Sequence, residues 1–253
     1  MHTAVILIAA LLAGAVNSIA GGGTLLSFPA LIWIGRDPIM ANATNAVALW
    51  PGSLAAMFGF RNELKNVQRW LLLLTLPSLA GGIIGAVLLL HTSATTFSRL
   101  VPFLILGATL LLATQELITR RLGLLERAQN ARPASGWVLF VFTFQFLVGL
   151  YGGYFGAGMG ILMLAALGLI GLTDLHEMNG LKNLLAVCIN GIAAIYFAFS
   201  GAVIWIDAME MAAASIVGGF LGARMARRLG RVFVRRAVVA IGLAMSVALF
   251  FKR

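Results

Sequence analysis

Long apolar runs, separated by short polar breaks, constrain this chain more than any other feature of its sequence. No stretch is polar or long enough to form a separate soluble domain. Hydrophobic residues make up 61% of the chain and charged residues 10%, whereas soluble domains carry roughly 45–50% and about 25%. Because such a chain has no polar surface to turn towards water on all sides, we expect an all-α, polytopic membrane protein.

The apolar runs fall into two series. A charged linker at 118–135, expected to be cytoplasmic, separates a first transmembrane repeat at 1–117 from a second repeat at 136–253. The N-terminal run has no basic leader and its pattern returns in mid-chain, so we expect it to be retained rather than cleaved as a signal. The expected segments are Thr3–Ile34, Pro38–Phe60, Trp70–Leu90 and Arg99–Leu117, then Trp137–Leu172, Leu175–Ser200, Trp205–Arg224 and Val234–Phe251.

Matching motifs occur in the same order in both halves. The correspondences, at offsets of 135 to 138 residues, are Gly21-Gly22-Gly23 with Gly156-Ala157-Gly158, Thr44-Asn45 with Lys182-Asn183, and Gly81-Gly82 with Gly218-Gly219. Glycine-rich membrane helices could agree once by chance. Ordered agreement along the chain favours duplication of one unit.

Glycines interrupt the first run of each half. Thr3–Val16 has 14 residues and would be about 21 Å long as a helix, while Thr24–Ile34 would be about 16 Å long. Neither comfortably spans an apolar core of roughly 30 Å. We therefore expect each repeat to begin with a glycine-broken helical hairpin that enters and leaves by one face. Its irregular backbone must be covered by protein or by a wet cavity.

Basic residues in the loops support this arrangement. If each interrupted run crosses an even number of times, the loops at 61–69, 118–135 and 224–236 share one side with 13 basic residues, against four on the other side. A single crossing gives nine against eight. Lys and Arg accumulate on the cytoplasmic side, which favours the first arrangement. Each half then crosses an odd number of times, and this predicts inverted-topology repeats, a recurring plan of secondary transporters.

Lys182 is the one basic residue expected inside an apolar segment. It lies eight residues beyond Asp174, about 12 Å in by helical rise. Thr44-Asn45 lies six or seven residues beyond Pro38, from the opposite face. We expect the two positions to converge near the midplane, where inverted-repeat transporters bind substrate. The helix N-termini at the glycine breaks add N–H groups and partial positive charge, which suit anions.

These features predict a binding site for a small anion. Close packing alone is the alternative for the glycines, hydrogen bonding across helices for the asparagines, and a structural pairing with Asp174 or Glu177 for the lysine. Asp207 and Glu210 are interpreted as interfacial, with proton coupling as the alternative. The expected substrate-binding residues are Asn17, Gly21, Gly22, Gly23, Thr44, Asn45, Gly156, Gly158, Lys182 and Asn183.

Other function classes find little support. The net charge of +10 does not indicate nucleic-acid binding, because the basic residues occupy short loops. Cys188 is the only cysteine, and the three histidines are scattered without metal-ligand spacing. No GxxxxGK[ST] motif for ATP use is present. No catalytic constellation is recognisable at membrane depth, so we expect neither an enzyme nor a cofactor.

Two segments carry a resemblance to a known family. VNSIAGGGTLLSFPALIWIGRDPIMANATN resembles the opening repeat of the sulfite exporter TauE/SafE family, and GLYGGYFGAGMGILML with LKN at 181–183 is similar to its second repeat. The resemblance covers about residues 5–250 and implies export of sulfite or small organosulfonate-type anions from the bacterial cytoplasm.

The resulting expectation is a multi-pass protein of the bacterial inner membrane that exports a small anion by alternating access. The membrane potential or a proton gradient would drive it. An anion-selective channel and a non-catalytic membrane assembly subunit are the alternatives. The substrate's identity and the oligomeric state, a homo-oligomer included, stay open.

Overall fold

The computed structural model describes residues 2–19, 22–58, 68–121, 135–169, 172, 175–229 and 231–251. Within these ranges the chain forms α-helices and no β-strand, which confirms the all-α fold class. In chain order the helices are α1 (His2–Ile19), α2 (Thr24–Trp33), α3 (Pro38–Phe58), α4 (Gln68–His91), α5 (Ala94–Arg121), α6 (Ser135–Tyr154), α7 (Met159–Leu169), α8 (Leu175–Phe199), α9 (Trp205–Leu229) and α10 (Arg231–Phe251).

The outer surface of this bundle is apolar. Within α4, Leu72 and Leu76 are 74% and 69% exposed although they belong to a helix of strongly apolar sequence. By length and composition, three described stretches could cross a membrane: Trp70–His91, Ala94–Thr114 and Gly180–Phe199. Large exposed apolar surface of this kind suits contact with lipid rather than with water.

Both expected glycine breaks separate two helices. The first break is shorter than expected, because Asn17 and Ser18 belong to α1, which has 18 residues. The Ser18 hydroxyl donates to the Ala15 carbonyl at 2.8 Å, and the Asn17 side chain accepts from the Gly23 N–H at 2.7 Å. These bonds extend α1 to about 27 Å, whereas α2, with 10 residues, is about 15 Å long.

Helix α5 also begins earlier than expected, at Ala94 rather than at Arg99. Ser93 caps it, since the Ser93 hydroxyl accepts from the Thr96 N–H at 3.1 Å and its carbonyl accepts from the Phe97 N–H at 2.9 Å. Such a cap satisfies N–H groups that the first helical turn leaves unpaired. The helix continues to Arg121, inside the expected linker. Residues 122–134 of that linker lie outside the described ranges.

The same type of close helix packing is found in two places in the bundle. Helix α9 packs against α1, and in the same way α4 packs against α6. Gly14 of α1 meets the backbone of Ser215 in α9, while Gly149 of α6, 135 residues later, meets the backbone of Ser78 in α4. Ser78 and Ser215 are also counterparts, each lying three residues before a matched glycine pair. Small residues permit this close approach of membrane helices.

Helices α3 and α8 lie in contact at the centre of the bundle, each with α9 or α4 against it. The second break contacts α2 there as well. Phe28 of α2 and Phe155, in the second break, are both buried and stack edge to face with ring centroids 5.3 Å apart. Among the described residues of the breaks, Gly22, Gly23, Ala157 and Gly158 are buried, so their irregular backbone is covered by protein, as membrane depth requires.

Candidate functional site

A cavity of about 90 Å³ lies where the two glycine breaks approach α3 and α8. A cavity needs about 10–15 Å³ to hold one water molecule, so this one has room for a small ligand. Its polar lining on the two long helices comprises Asn42, Asn45 and Ser53 from α3, and Lys182, Asn183 and Asn190 from α8.

The first break brings the N-terminus of α2 to this cavity, through Gly22 and Thr24. Gly22 has a φ of 102°, a left-handed conformation that favours glycine. Asn17 also lines the cavity, and its side-chain oxygen holds the Gly23 N–H. Asn17, a predicted site residue, therefore both lines the cavity and fixes the conformation of the break.

The second break does the same for α7. Gly156 and Gly158 have φ values of 76° and 73°, and Gly158, Met159 and Gly160 line the cavity. The Tyr151 hydroxyl donates to the Ala157 carbonyl at 2.6 Å, which holds the turn between the two glycines. Two helices thus begin at one cavity, each with its partially positive N-terminal end facing it.

Lys182 lies beside the start of α7. A Cβ atom added to Gly160 would lie 3.3 Å from the Cδ atom of Lys182, so this glycine leaves room for the lysine stem. Among the described residues of the lining, Lys182 is the one charged side chain. Lys182 therefore adds a basic side chain to the cavity wall next to the N-terminus of α7.

Asn45 differs from its neighbour Asn42. The Asn42 amide donates to the Tyr154 carbonyl at 2.9 Å, which ties α3 to the end of α6. Asn45 is only 2% exposed, and its side-chain oxygen has no hydrogen-bond partner among the described residues. A buried polar atom without a partner is uncommon and is often explained by a ligand, an ion or water.

The cavity extends along α3 and α8, and the predicted residues lie towards its two ends. The Trp50 indole N–H donates to the Val187 carbonyl at 3.1 Å, so these two residues lie at the same level of α3 and α8. Thr44 precedes Trp50 on α3 and is bonded to Ile204, which follows the end of α8. The helices therefore run in opposite directions, and by helical rise Asn45 and Lys182 lie on the order of 15 Å apart along them.

Comparison with known proteins identifies the family. Residues 6–249 match the family described as Sulfite exporter TauE/SafE. The chain belongs to this family. No solved structure matches the chain.

Relatives of this TauE/SafE-family chain are named as transporters. A probable membrane transporter protein of Haemophilus influenzae is 30% identical over 239 residues, covering 93% of this chain and 89% of the relative. The probable membrane transporter protein YfcA of Escherichia coli K12 is 31% identical over 253 residues, covering 98% and 89%. With the apolar helices, these matches make this chain a multi-pass membrane transporter of the TauE/SafE family.

The structure places most of the predicted site residues of this family member around the cavity. Thr44 and Gly23 stand behind the lining, where the Thr44 hydroxyl accepts from the Ile204 N–H at 3.0 Å, and Gly21 lies outside the described residues. Those in the lining are Asn17, Gly22, Asn45, Gly156, Gly158, Lys182 and Asn183.

Other lining residues were not among the predicted site residues. Asn42, Ser53 and Asn190 carried a signal, because they continue the polar face of α3 or α8 at helical spacing. Phe155 and Phe197 carried none, since an aromatic residue in an apolar run has the same pattern whether it faces a cavity, the core or lipid. Their place in the lining follows from tertiary packing.

Proposed function

We propose that this TauE/SafE-family protein is a secondary transporter that exports a small anion, such as sulfite or an organosulfonate, across the inner membrane by alternating access. The observation that carries the proposal is the cavity between the two halves, where Lys182 and the N-termini of α2 and α7 come together. The lysine supplies a full positive charge. The helix ends add partial positive charge, and the Asn183 amide adds N–H donors for the oxygens of an oxyanion.

Cavity size limits the substrate. About 90 Å³ accommodates a small oxyanion or a short organosulfonate, but not a large amphiphile. Ligand sites commonly occupy roughly 300–1,000 Å³, and this one is smaller. Apolar residues such as Phe155 and Leu49 share the lining and suit a short organic moiety attached to the anionic group.

Inverted repeats are supported by the packing. The equivalent helices α3 and α8 run in opposite directions past each other, and the α1–α9 contact has its counterpart in α6–α4. In inverted-repeat transporters, the two oppositely oriented copies of an element meet at a substrate site near the midplane. Such transporters expose this site to each side of the membrane in turn. The loop charges then put both chain termini in the periplasm.

Binding is tested by thermal shift on the purified protein with sulfite, sulfoacetate and sulfate, and with chloride as a control for ionic strength. A ligand at 100 times its Kd stabilises the folded state by about 2.7 kcal/mol. We expect a saturable rise in melting temperature with at least one sulfur oxyanion. The absence of a response to every anion would contradict the proposal.

Transport is separated from channel activity by counterflow in proteoliposomes. Unlabelled anion trapped inside should accelerate the entry of labelled anion if one cavity serves both sides in turn. A channel would instead show flux that neither saturates nor responds to the trapped anion. That result would replace the transporter with an anion channel.

Orientation is tested in whole cells after Cys188 has been replaced by serine. A cysteine at His2 should react with an impermeant thiol reagent added outside, whereas a cysteine at Ser135 should react only after the cells are opened. The reverse pattern would exclude the inverted arrangement.

A further inference from the structure

An ion pair joins the two halves of the chain next to the cavity. Arg36 lies between α2 and α3, and Asp207 lies in the first turn of α9. The Arg36 Nε and Nη2 atoms donate to the two carboxylate oxygens of Asp207 at 2.7 and 3.0 Å. Two parallel charge-assisted bonds of this kind are among the strongest side-chain pairings in proteins.

Burial of the pair is unequal. The Asp207 side chain is 4% exposed and that of Arg36 is 39% exposed. The carboxylate therefore depends on the arginine in this conformation, because a buried charge without a partner is costly. If the two halves separate at this point, water can replace the partner. The pairing is thus suited to having two discrete states, paired and hydrated.

The pair lies at one end of the cavity. Asn42, the lining residue nearest the start of α3, is four residues beyond Pro38, which is about 6 Å of helical rise. A second bond closes the same end, from the Ile204 N–H to the Thr44 hydroxyl at 3.0 Å. Phe197, near the end of α8, lies in the lining just before this connection. The ion pair lies beyond the lining and the threonine bond lies beside it, and both hold α3 against the start of α9 at this end of the cavity.

We propose that the Arg36–Asp207 ion pair is a latch that closes this end of the cavity in the present conformation and separates when the cavity opens there. The latch rests on the alternating-access part of the proposed function, and it does not depend on which anion is carried. By the distribution of loop charges, the latched end is the periplasmic one. Export then requires the two side chains to part at each turnover.

The test measures access to the cavity rather than transport, in the full-length protein in cells. Cys188 is replaced by serine, and a reporter cysteine is introduced at Ala46, which lines the cavity on α3. A small, charged methanethiosulfonate reagent that does not cross membranes is added from the periplasmic side without any transported anion. The rate of labelling at Ala46→Cys then reports how often this end is open.

Asp207→Asn should raise the labelling rate by about tenfold or more, since a hydrogen bond to a charged group shifts an equilibrium by roughly that factor. Glu210→Gln is the matched control, because it removes a carboxylate one turn along the same helix and should leave the rate unchanged. The reversed pair, Arg36→Asp with Asp207→Arg, should return the rate towards that of the parent.

Two variants guard against failure to fold. If Asp207→Asn does not accumulate in the membrane, Arg36→Gln combined with Asp207→Asn removes both charges and carries the same expectation. Arg36→Lys keeps the charge but loses the second bond, and it should raise the rate by a smaller factor. Labelling unchanged from the parent in the double-neutral variant, or equal acceleration by Glu210→Gln, would overturn the latch. Because no anion is present, these results stand whether or not sulfur oxyanions bind.

Discussion

Replacing Lys182 by methionine separates a substrate-binding role of this residue from a structural one. Methionine nearly matches the length of the lysine stem, whose Cδ would lie 3.3 Å from a Cβ added to Gly160, so the cavity wall is preserved while the charge is lost. A hydrogen bond to a charged group contributes roughly 1.5–3 kcal/mol. If Lys182 contacts the anion, its loss should therefore weaken binding by roughly 10- to 150-fold.

The same variant has a different outcome if Lys182 is held by an acidic neighbour. Breaking a buried pair leaves the other charge without a partner and costs about 3–5 kcal/mol. Lys182→Met would then melt at a clearly lower temperature. Neutralising Glu177, in the first turn of α8, or Asp174, at the predicted start of that segment, should in that case restore the melting temperature.

The assay is anion affinity and melting temperature measured on the same purified variants. Arg99→Met is the matched control, because Arg99 is a cation at the end of the bundle that does not line this cavity, and its affinity should equal that of the parent. Lys182→Arg should retain part of the affinity, since the charge remains while the geometry changes. Unchanged anion affinity in Lys182→Met would refute the substrate-binding role of the lysine.

Three further substitutions test the surroundings of the cavity. Gly22→Val should abolish export, because φ is +102° and a β-branched residue is strained there. Gly107→Val, where nothing lies within 4 Å, is the control, and equal activity of the two would leave the break without a conformational role. Asn45→Ala should reduce export without lowering the melting temperature, because its oxygen is unpartnered, whereas Asn42→Ala should cost about 1 kcal/mol by removing a hydrogen bond. An equal loss of stability would show that Asn45 is also committed to the fold. Gly14→Val should prevent accumulation in the membrane, because a Cβ there meets the Ser215 carbonyl, and normal expression would contradict this packing.

The helices could be predicted from sequence because apolar length and glycine clusters act locally. Runs long enough to cross a bilayer must be helical, since lipid offers the backbone no hydrogen bonds. The glycine breaks were predictable for the same reason, and Gly22, Gly156 and Gly158 adopt the positive φ angles that only glycine takes readily. The exact end of α1 could not be predicted, because it depends on the hydrogen bond that the Asn17 side chain accepts from the Gly23 N–H.

The candidate site could be predicted only in part. Lys182 stands out in a sequence because a charge in an apolar run is expensive, and the structure places it in the cavity lining. The partner of Asp207 could not be read from sequence, because Arg36 is 171 residues away. Nor does any sequence pattern distinguish Thr44, which bonds across the bundle, from Asn45 beside it, which has an unpartnered oxygen.

The two halves pack in a similar way but carry different side chains at one pair of matched positions. At matched positions the second half carries Lys182 in the cavity, while the first half carries Thr44, which holds the start of α9. A lysine at position 44 would remove the hydroxyl that accepts from the Ile204 N–H. A threonine at position 182 would remove the one basic side chain from the described lining of the cavity. In the proposed function, the basic side chain at one end of the cavity would attract the anion, and the Thr44 connection would close the other end. If the two halves are copies of one unit, as the matched motifs predict, the Lys182–Thr44 difference makes the copies chemically unequal at this position.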